Sequence, residues 1–442
     1  MMELKTYPKL KKYENWIGPV PDNWKTEKAR YLFEKINKRS ITGSETLLSV
    51  SEYYGVKPKK ETIGEGEYLT HASSLIDYKK CKKNNLVMNI MLAWKRGLGV
   101  TKYDGIVSPA YEVFKINKKL NPDYVHYLLR TQLYSSEMKR NSYGIIDSRL
   151  RLYPENFYDI QIIEPPLDEQ KQIAKYLDNK TSQIEENIAK NKKLIELLKE
   201  KRTALINQTV TKGLNPDTPM KESGLKWIEK IPEHWEINKI KNLFEFTKGL
   251  NITKKDLTVN GIPVISYGQI HAKFNDGVHI KNELIRYTDK SNAKTNSKVS
   301  KGDFIFADTS EDIEGCGNSI YINKDMLLYG GYHDVILKSR NKRDNTYLAY
   351  LFQSETWRKQ LRSKVNGVKV YSINQSILKE CYVLIPPNEE QKILVEYLDK
   401  TSKNIDKTVE KIERNIELLE EYKESLIHHV VTGKVDVRGV EI

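Results

Sequence analysis

Nearly the same statement is written twice along this chain, and an internal repeat fixes architecture before any other feature is weighed. Pro165, Pro166, Glu169, Gln170, Lys171, Tyr176, Leu177 and Asp178 recur without a gap as Pro386, Pro387, Glu390, Gln391, Lys392, Tyr397, Leu398 and Asp399. A shared prelude opens each half: Trp16, Ile17, Pro21, Trp24, Leu32 and Phe33 align with Trp227, Ile228, Pro232, Trp235, Leu243 and Phe244. Between prelude and proline pair the two halves do not visibly match. Two equal frames carrying unlike inserts predict a pseudo-twofold object that reads two different things.

Both proline pairs lead into heptad helices. In the first copy one row reads Ala174, Thr181, Ile188, Ile195, Arg202 and the next Leu177, Ile184, Asn191, Leu198, Leu205. In the second the rows read Val395, Ser402, Val409, Ile416, Lys423 and Leu398, Ile405, Ile412, Leu419, Leu426. More than four heptads with such a seam predict a coiled coil. Asp168 and Asn388, with the glutamates after them, suit the positive helix N-terminus, and Gly213 and Gly433 mark the stops. Each helix is then about 40 residues, roughly 60 Å long. Because each leaves its own globular domain, an antiparallel pair is the simplest closed arrangement, with the domains at opposite ends. Asn191 in the apolar row suits a register-setting role or a solvated seam edge.

At 442 residues the chain allows about two to three domains, and the repeat favours two plus helices. Charged residues make up 30% and mean hydropathy is −0.62, polar for a globular chain but too rich in Tyr, Ile and Leu for disorder. The net charge of +14 favours a polyanion, since each cation that meets a phosphate releases a counterion. Cys81, Cys316 and Cys381 lack the spacing of zinc or disulfide frameworks and read as reduced, structural thiols. No stretch approaches the ~18 apolar residues of a membrane span, which predicts a cytoplasmic protein with no membrane partner.

Both inserts read as mixed α and β, so the fold class is α+β. Strand-like runs lie at Asn85–Trp94 and Gly105–Ile116, then a helix over Pro122–Arg140; the second insert has runs at Gly261–Tyr267, Gly302–Asp308 and Tyr332–Lys338, then a helix over Tyr347–Ser363. Each insert ends on a basic, aromatic loop with a glycine: Tyr143, Gly144, Ser148, Arg149, Arg151 in one, and Asn366, Gly367, Lys369, Tyr371, Ser372 in the other. Such groups suit phosphates through charge and base edges through amide, hydroxyl or guanidinium. Tyr53, Lys57, Lys95, Arg96, Lys102, Gln269, His271 and Lys273 are further candidates for DNA contact. The plain alternative for all of them is a solvated surface.

The doubled Pro-Pro-to-Glu-Gln-Lys connector with a Pro-x-x-Trp lead-in resembles the specificity subunit of type I restriction-modification systems. Leu86–Phe114 and Gly302–Ile322 are similar to blocks in that family's target-recognition domains. The resemblance spans the whole chain and is most specific in the connectors. It implies a target-recognition domain over 1–164, a connector helix over 165–213, a linker and second recognition domain over 214–385, a second connector over 386–433 and a tail over 434–442. It further implies an antiparallel coiled coil that spaces the two domains along double-stranded DNA. Two methyltransferase subunits would dock on the helices and restriction subunits would join through the complex. The chain itself then needs no cofactor; S-adenosylmethionine, ATP and Mg belong to those partners. No short tandem repeats interrupt the helices, so tunable spacing is not supported.

Catalytic motifs are missing. Adenine methylation needs an Asn/Asp-Pro-Pro-aromatic tetrapeptide around the flipped base, whereas the Pro-Pro pairs here are followed by Leu167 and Asn388. Gly97, Gly99 and Lys102 only echo a phosphate-binding loop, with the wrong spacing and no Ser or Thr after the lysine. Pro216, Asp217 and Glu222 come near a nuclease metal motif, but Gly224 stands where its lysine belongs. His428 and His429 are adjacent, so a helix points them in different directions. The leading expectation is a non-catalytic DNA-recognition subunit reading a bipartite, asymmetric target. The alternatives are a stand-alone coiled-coil DNA-binding regulator or scaffold, stable without a partner, and a single-chain reading and modifying enzyme, which would bind a cofactor.

Overall fold

The computed structural model describes residues 5–13, 16–62, 74–341, 344–365 and 370–440. It divides into two compact units, one of residues 1–191 with 413–442 and one of residues 192–412. The first connector helix is Leu167–Lys212 (46 residues) and the second Asn388–Val431 (44 residues), so each unit holds the beginning of one connector and the end of the other. Gly213 and Gly433, at φ +75° and +70°, follow their ends in the left-handed conformation that glycine adopts without steric cost.

In the first unit a strand at Lys25–Lys28 pairs with Gln161–Glu164, closing the insert at its base. Within it, β1 (Phe33–Ile36), β2 (Leu48–Ser51), β3 (Gly55–Pro58), β4 (Asn85–Asn89), β5 (Leu98–Val100) and β6 (Tyr111–Ile116) precede two helices, α1 (Pro122–Leu129) and α2 (Gln132–Arg140). β1, β6, β4 and β5 lie in that order in an antiparallel sheet, and β2 and β3 form a separate hairpin. Asn121 caps α1 and Thr131 caps α2.

The second unit repeats the plan. Glu236–Lys239 pairs with Tyr382–Ile385 at the base. Strands β7 (Phe244–Lys248), β8 (Phe304–Ala307), β9 (Thr309–Ser310), β10 (Ser319–Tyr321), β11 (Asp334–Ser339) and β12 (Tyr371–Ser372) accompany helices α3 (Thr346–Gln353) and α4 (Glu355–Arg362). The four-stranded sheet runs β7, β11, β8, β10, matching the first unit strand for strand. A five-stranded sheet of Leu257–Thr258, Arg286–Thr288, Ile262–Ile265, Leu328–Gly330 and Lys298–Val299 is added. The single helices expected over 122–140 and 347–363 are each two. The hydroxyls of Thr131 and Ser354 accept from the amides of Tyr134 and Trp357, ending one helix and starting the next.

The repeated residues fasten connector to domain. Tyr7 Oη donates to Glu169, and Asn23 to the same carboxylate at 3.3 Å; in the second unit His234 Nε2 and Trp235 Nε1 meet Glu390 at 2.6 and 3.1 Å. Gln170 and Gln391 turn back to the carbonyls of Pro165 and Pro386, both at 2.8 Å. Tyr124 on α1 donates to Val431 O at 3.3 Å, and Tyr347 on α3 to Val210 O at 2.9 Å. Tyr127 and Tyr350 donate to Asp178 and Asp399, the matched aspartates, at 2.7 and 2.5 Å. Each domain thus grips the start of its own connector and the end of the other.

Along the predicted seam, Leu177, Ile184, Ile188, Leu398, Ile405 and Leu426 are buried, whereas Ile195, Leu198, Leu205, Val409, Ile412, Ile416 and Leu419 are half-buried, as is Asn191. Ile206 and Val210, outside the predicted rows, are buried against the second domain instead. Cys81, Cys316 and Cys381 are free and buried, and burial pushes the Cys81 and Cys381 thiols up to about 12.

Candidate nucleic-acid interface

Five candidate residues of the first insert converge. Tyr53 caps the β2–β3 hairpin at 84% exposure, Lys57 extends from β3, Lys95 and Arg96 close the turn before β5, and Lys102 follows it. Tyr53, Lys57, Arg96 and Lys102 line one open cleft of about 920 Å³, and Lys95 lines an adjoining one of about 470 Å³. Lys95 and Lys139 place their ammonium groups 5.0 and 4.8 Å from the Trp94 ring, attractive contacts that bring two cations to one aromatic ring. Arg96 pairs with Glu424 at 2.7 Å, and Asp178, Glu185 and Glu420 add negative charge to the same wall. The cleft is therefore cationic at the hairpin and acidic at the connectors.

The second candidate loop of this unit is a built structure. Tyr143 and Arg151 exchange two backbone bonds of 2.9 Å, a short helical turn at Asp147–Arg149 carries Ser148 and Arg149, and Leu150 and Leu152 anchor the return. Tyr143, Ser148 and Arg149 are exposed, Arg151 half so. Ile145 and Ile146, which motif reading did not single out, stand 99% and 52% exposed at its tip. Among the described residues neither Arg149 nor Arg151 joins an ion pair.

In the second unit the candidates are held more firmly. Gln269 accepts from the Ser266 amide at 3.2 Å, and Lys273 is exposed. Tyr371 and Ser372 form β12, paired with β9. Arg358 can only donate, so Asn318 Oδ1 must accept from it (2.8 Å), leaving Asn318 Nδ2 to donate to His271 Nδ1 (3.0 Å). With Nδ1 accepting, the Nε2–H of His271 donates to Thr309 O at 2.8 Å. The open cleft beside it, about 710 Å³, carries Glu311, Asp312 and Glu314. Asn366 and Lys369 lie outside the described residues. No group of three or more His, Cys, Asp or Glu among the described residues is placed to hold a metal ion, and no helix there is long and apolar enough to cross a membrane.

Residues 21–197 and 232–418 each match the type I restriction modification DNA specificity domain. The chain belongs to that family. It is 28% identical over 335 residues to the type I restriction enzyme MjaVIII specificity subunit of Methanocaldococcus jannaschii, covering 73% of this chain and 72% of the relative. It is 25% identical over 301 residues to the EcoKI specificity subunit of Escherichia coli, covering 65% and 60%. In fold it is similar to a chain from a type I R-M system, at TM-score 0.69, 13% identity and coverage of 93% and 98%. The HsdS subunit from Thermoanaerobacter tengcongensis follows at TM-score 0.56 and 15% identity, covering 94% of this chain and 98% of that one. The two specificity-domain matches fall one in each half, each taking in an insert and much of the connector after it. Arg130, His126 and Asn318, which hold the candidate loops in this specificity-family chain, carried no motif signal.

Proposed function

We propose that this chain is the non-catalytic DNA-reading subunit of a type I restriction-modification complex, with two recognition domains that read the two unlike parts of a bipartite target. The observation that carries the reading is the duplicated frame with different tips: one sheet order and one helix pair serve both domains, while the loops they present differ. Equal frames suit equal placement on a duplex, and unlike loops suit unlike bases.

In this reading residues 1–164 and 214–385 form the domains, and the connectors form an antiparallel coiled coil related by a pseudo-twofold axis. Two ion pairs support it: Glu185 with Lys423 at 3.2 Å and Arg202 with Asp406 at 3.7 Å. A step of 17 residues up one helix matches a step of 17 down the other. A spacer of this kind sets half-sites about one DNA turn apart, roughly 34 Å. Methyltransferase subunits dock on the connectors, where Leu194, Leu197, Ile393, Tyr397, Leu418 and Tyr422 remain exposed although large and apolar. In this reading two such subunits bind, and they supply S-adenosylmethionine chemistry. Restriction subunits supply the ATP- and Mg-dependent steps, and the assembly works in the cytoplasm.

Co-production with a cognate modification subunit, followed by mapping of methylated adenines, is expected to return a two-part asymmetric motif with an unread gap. A continuous or symmetric motif, or none, overturns the reading. Arg149→Ala and Arg151→Ala are expected to relax one half of the motif by about 1–3 kcal/mol per contacted base while the complex still assembles, as read by competition binding and size-exclusion. Loss of assembly would assign those arginines to the fold.

A further inference from the structure

We propose that Arg130 is a positioning residue for DNA reading by the first recognition domain, holding the β2–β3 hairpin and the turn before β5 in one arrangement over the cleft. The proposal rests on the DNA-reading function above. Arg130 stands just past the last residue of α1, and its guanidinium donates to four backbone carbonyls on two separate loops. Nη1 meets Ser51 O at 3.2 Å, Arg96 O at 2.7 Å and Leu98 O at 2.7 Å, and Nη2 meets Glu52 O at 2.9 Å. Two of these carbonyls immediately precede Tyr53, the most exposed aromatic ring of the cleft.

No carboxylate pairs with Arg130 among the described residues, and burial draws its pKa down to about 10. A half-buried charge with no acidic partner is costly unless its hydrogen bonds are placed well, and here a planar fork with fixed donors does what a flexible point charge does not. One turn earlier His126 completes the clamp. Its Nδ1 accepts from the Val100 amide at 3.2 Å, so its ring is neutral, and burial takes it down to about 3. A Cβ at Gly55 (φ +79°) would lie 2.8 Å from His126 Cε1, and one at Gly99 3.2 Å from it, so both strands press against the imidazole.

On the same helix Tyr124 and Tyr127 donate to Val431 O and Asp178 of the connectors. A single rigid helix therefore joins the connector segments of this unit to the loops that would face bases. The second unit reaches its own candidate loop differently, from Arg358 on α4 through Asn318 to His271 and Thr309.

The test uses the full chain with its modification subunit, comparing wild type with Arg130→Lys and Arg130→Met. Methylation mapping and competition binding are expected to show discrimination falling about tenfold or more in one half-site, with the other half-site intact. Because Arg130 does not meet phosphate in this account, the salt dependence of non-specific binding stays unchanged, whereas a direct phosphate contact would lower the slope by about one. Full discrimination by a folded Arg130→Lys chain, a changed salt slope, or melting of the whole unit in both variants overturns the proposal. A wild-type complex without a two-part motif removes the underlying reading and this proposal with it; a two-part motif read equally well by the variants removes only the latter.

Discussion

Trp235→Ala is expected to cost the second unit about 3–5 kcal/mol and Trp235→Phe less, measured by chemical denaturation. The ring is wholly buried, meets Tyr347 edge-on at 6.1 Å and lies in the same apolar core as Ile206, Val210 and Leu398 of the connectors. Truncation removes that contact and strips Glu390 of its indole donor. The matched tryptophan of the first unit separates the two effects. Trp24 is as buried, but its Nε1 has no hydrogen-bond partner among the described residues. Trp24→Phe should then cost less than Trp235→Phe by about the 1 kcal/mol that a hydrogen bond contributes. Equal costs for the two phenylalanine variants, or an alanine cost below about 1 kcal/mol, would show that these indoles do not anchor the domains as described.

Asp334→Asn is expected to make the second unit more stable at neutral pH and above while leaving it nearly unchanged at about pH 3, below the ordinary carboxylate pKa. Asp334 is buried at the start of β11, neither carboxyl oxygen has a hydrogen-bond partner among the described residues, and the Gly331 amide beside it is spent on Ile265 O at 2.6 Å. Burial raises its pKa well above the ordinary carboxylate value, and nearby Asp308 pushes the same way. A group raised on folding holds its proton better in the native state. Its contribution is complete below the ordinary carboxylate pKa and is lost as pH climbs toward the native one. At alkaline pH the wild type must bury a charge or retain a costly proton, and asparagine avoids the choice at a gain of about 1–3 kcal/mol. Denaturant titrations at several pH values read this directly; parallel stability curves for wild type and variant would sink it.

The frame was legible because its signals are local. Proline pairs, first-turn glutamates, heptad rows and stop glycines each act within a few residues, and the connectors fall where those signals put them. The likeness of the two inserts was not legible. A buried strand such as Asn85–Asn89 asks only for apolar bulk, so Phe304–Ala307 fills the corresponding place with different side chains. The breaks at Thr131 and Ser354 were hidden by apolar spacing that continues through them. At the candidate interface, five basic or aromatic residues picked by composition do line adjoining clefts. The groups that hold them were invisible because Arg130 binds backbone carbonyls, which every residue type offers, and the Arg358–Asn318–His271 relay joins positions far apart in the chain.

The interleaving of the two units has a consequence for synthesis. The first unit takes Leu426, Val430, Val431 and Val437 into its core, and those residues leave the ribosome after the whole of the second unit. The second unit spans only residues 192–412, and all of its parts emerge before them. Growing chains ordinarily mature from the N-terminus onward, at about 5–20 residues per second. Of the two units, the one translated first is thus the one left incomplete, for roughly the tens of seconds that the second takes to be read.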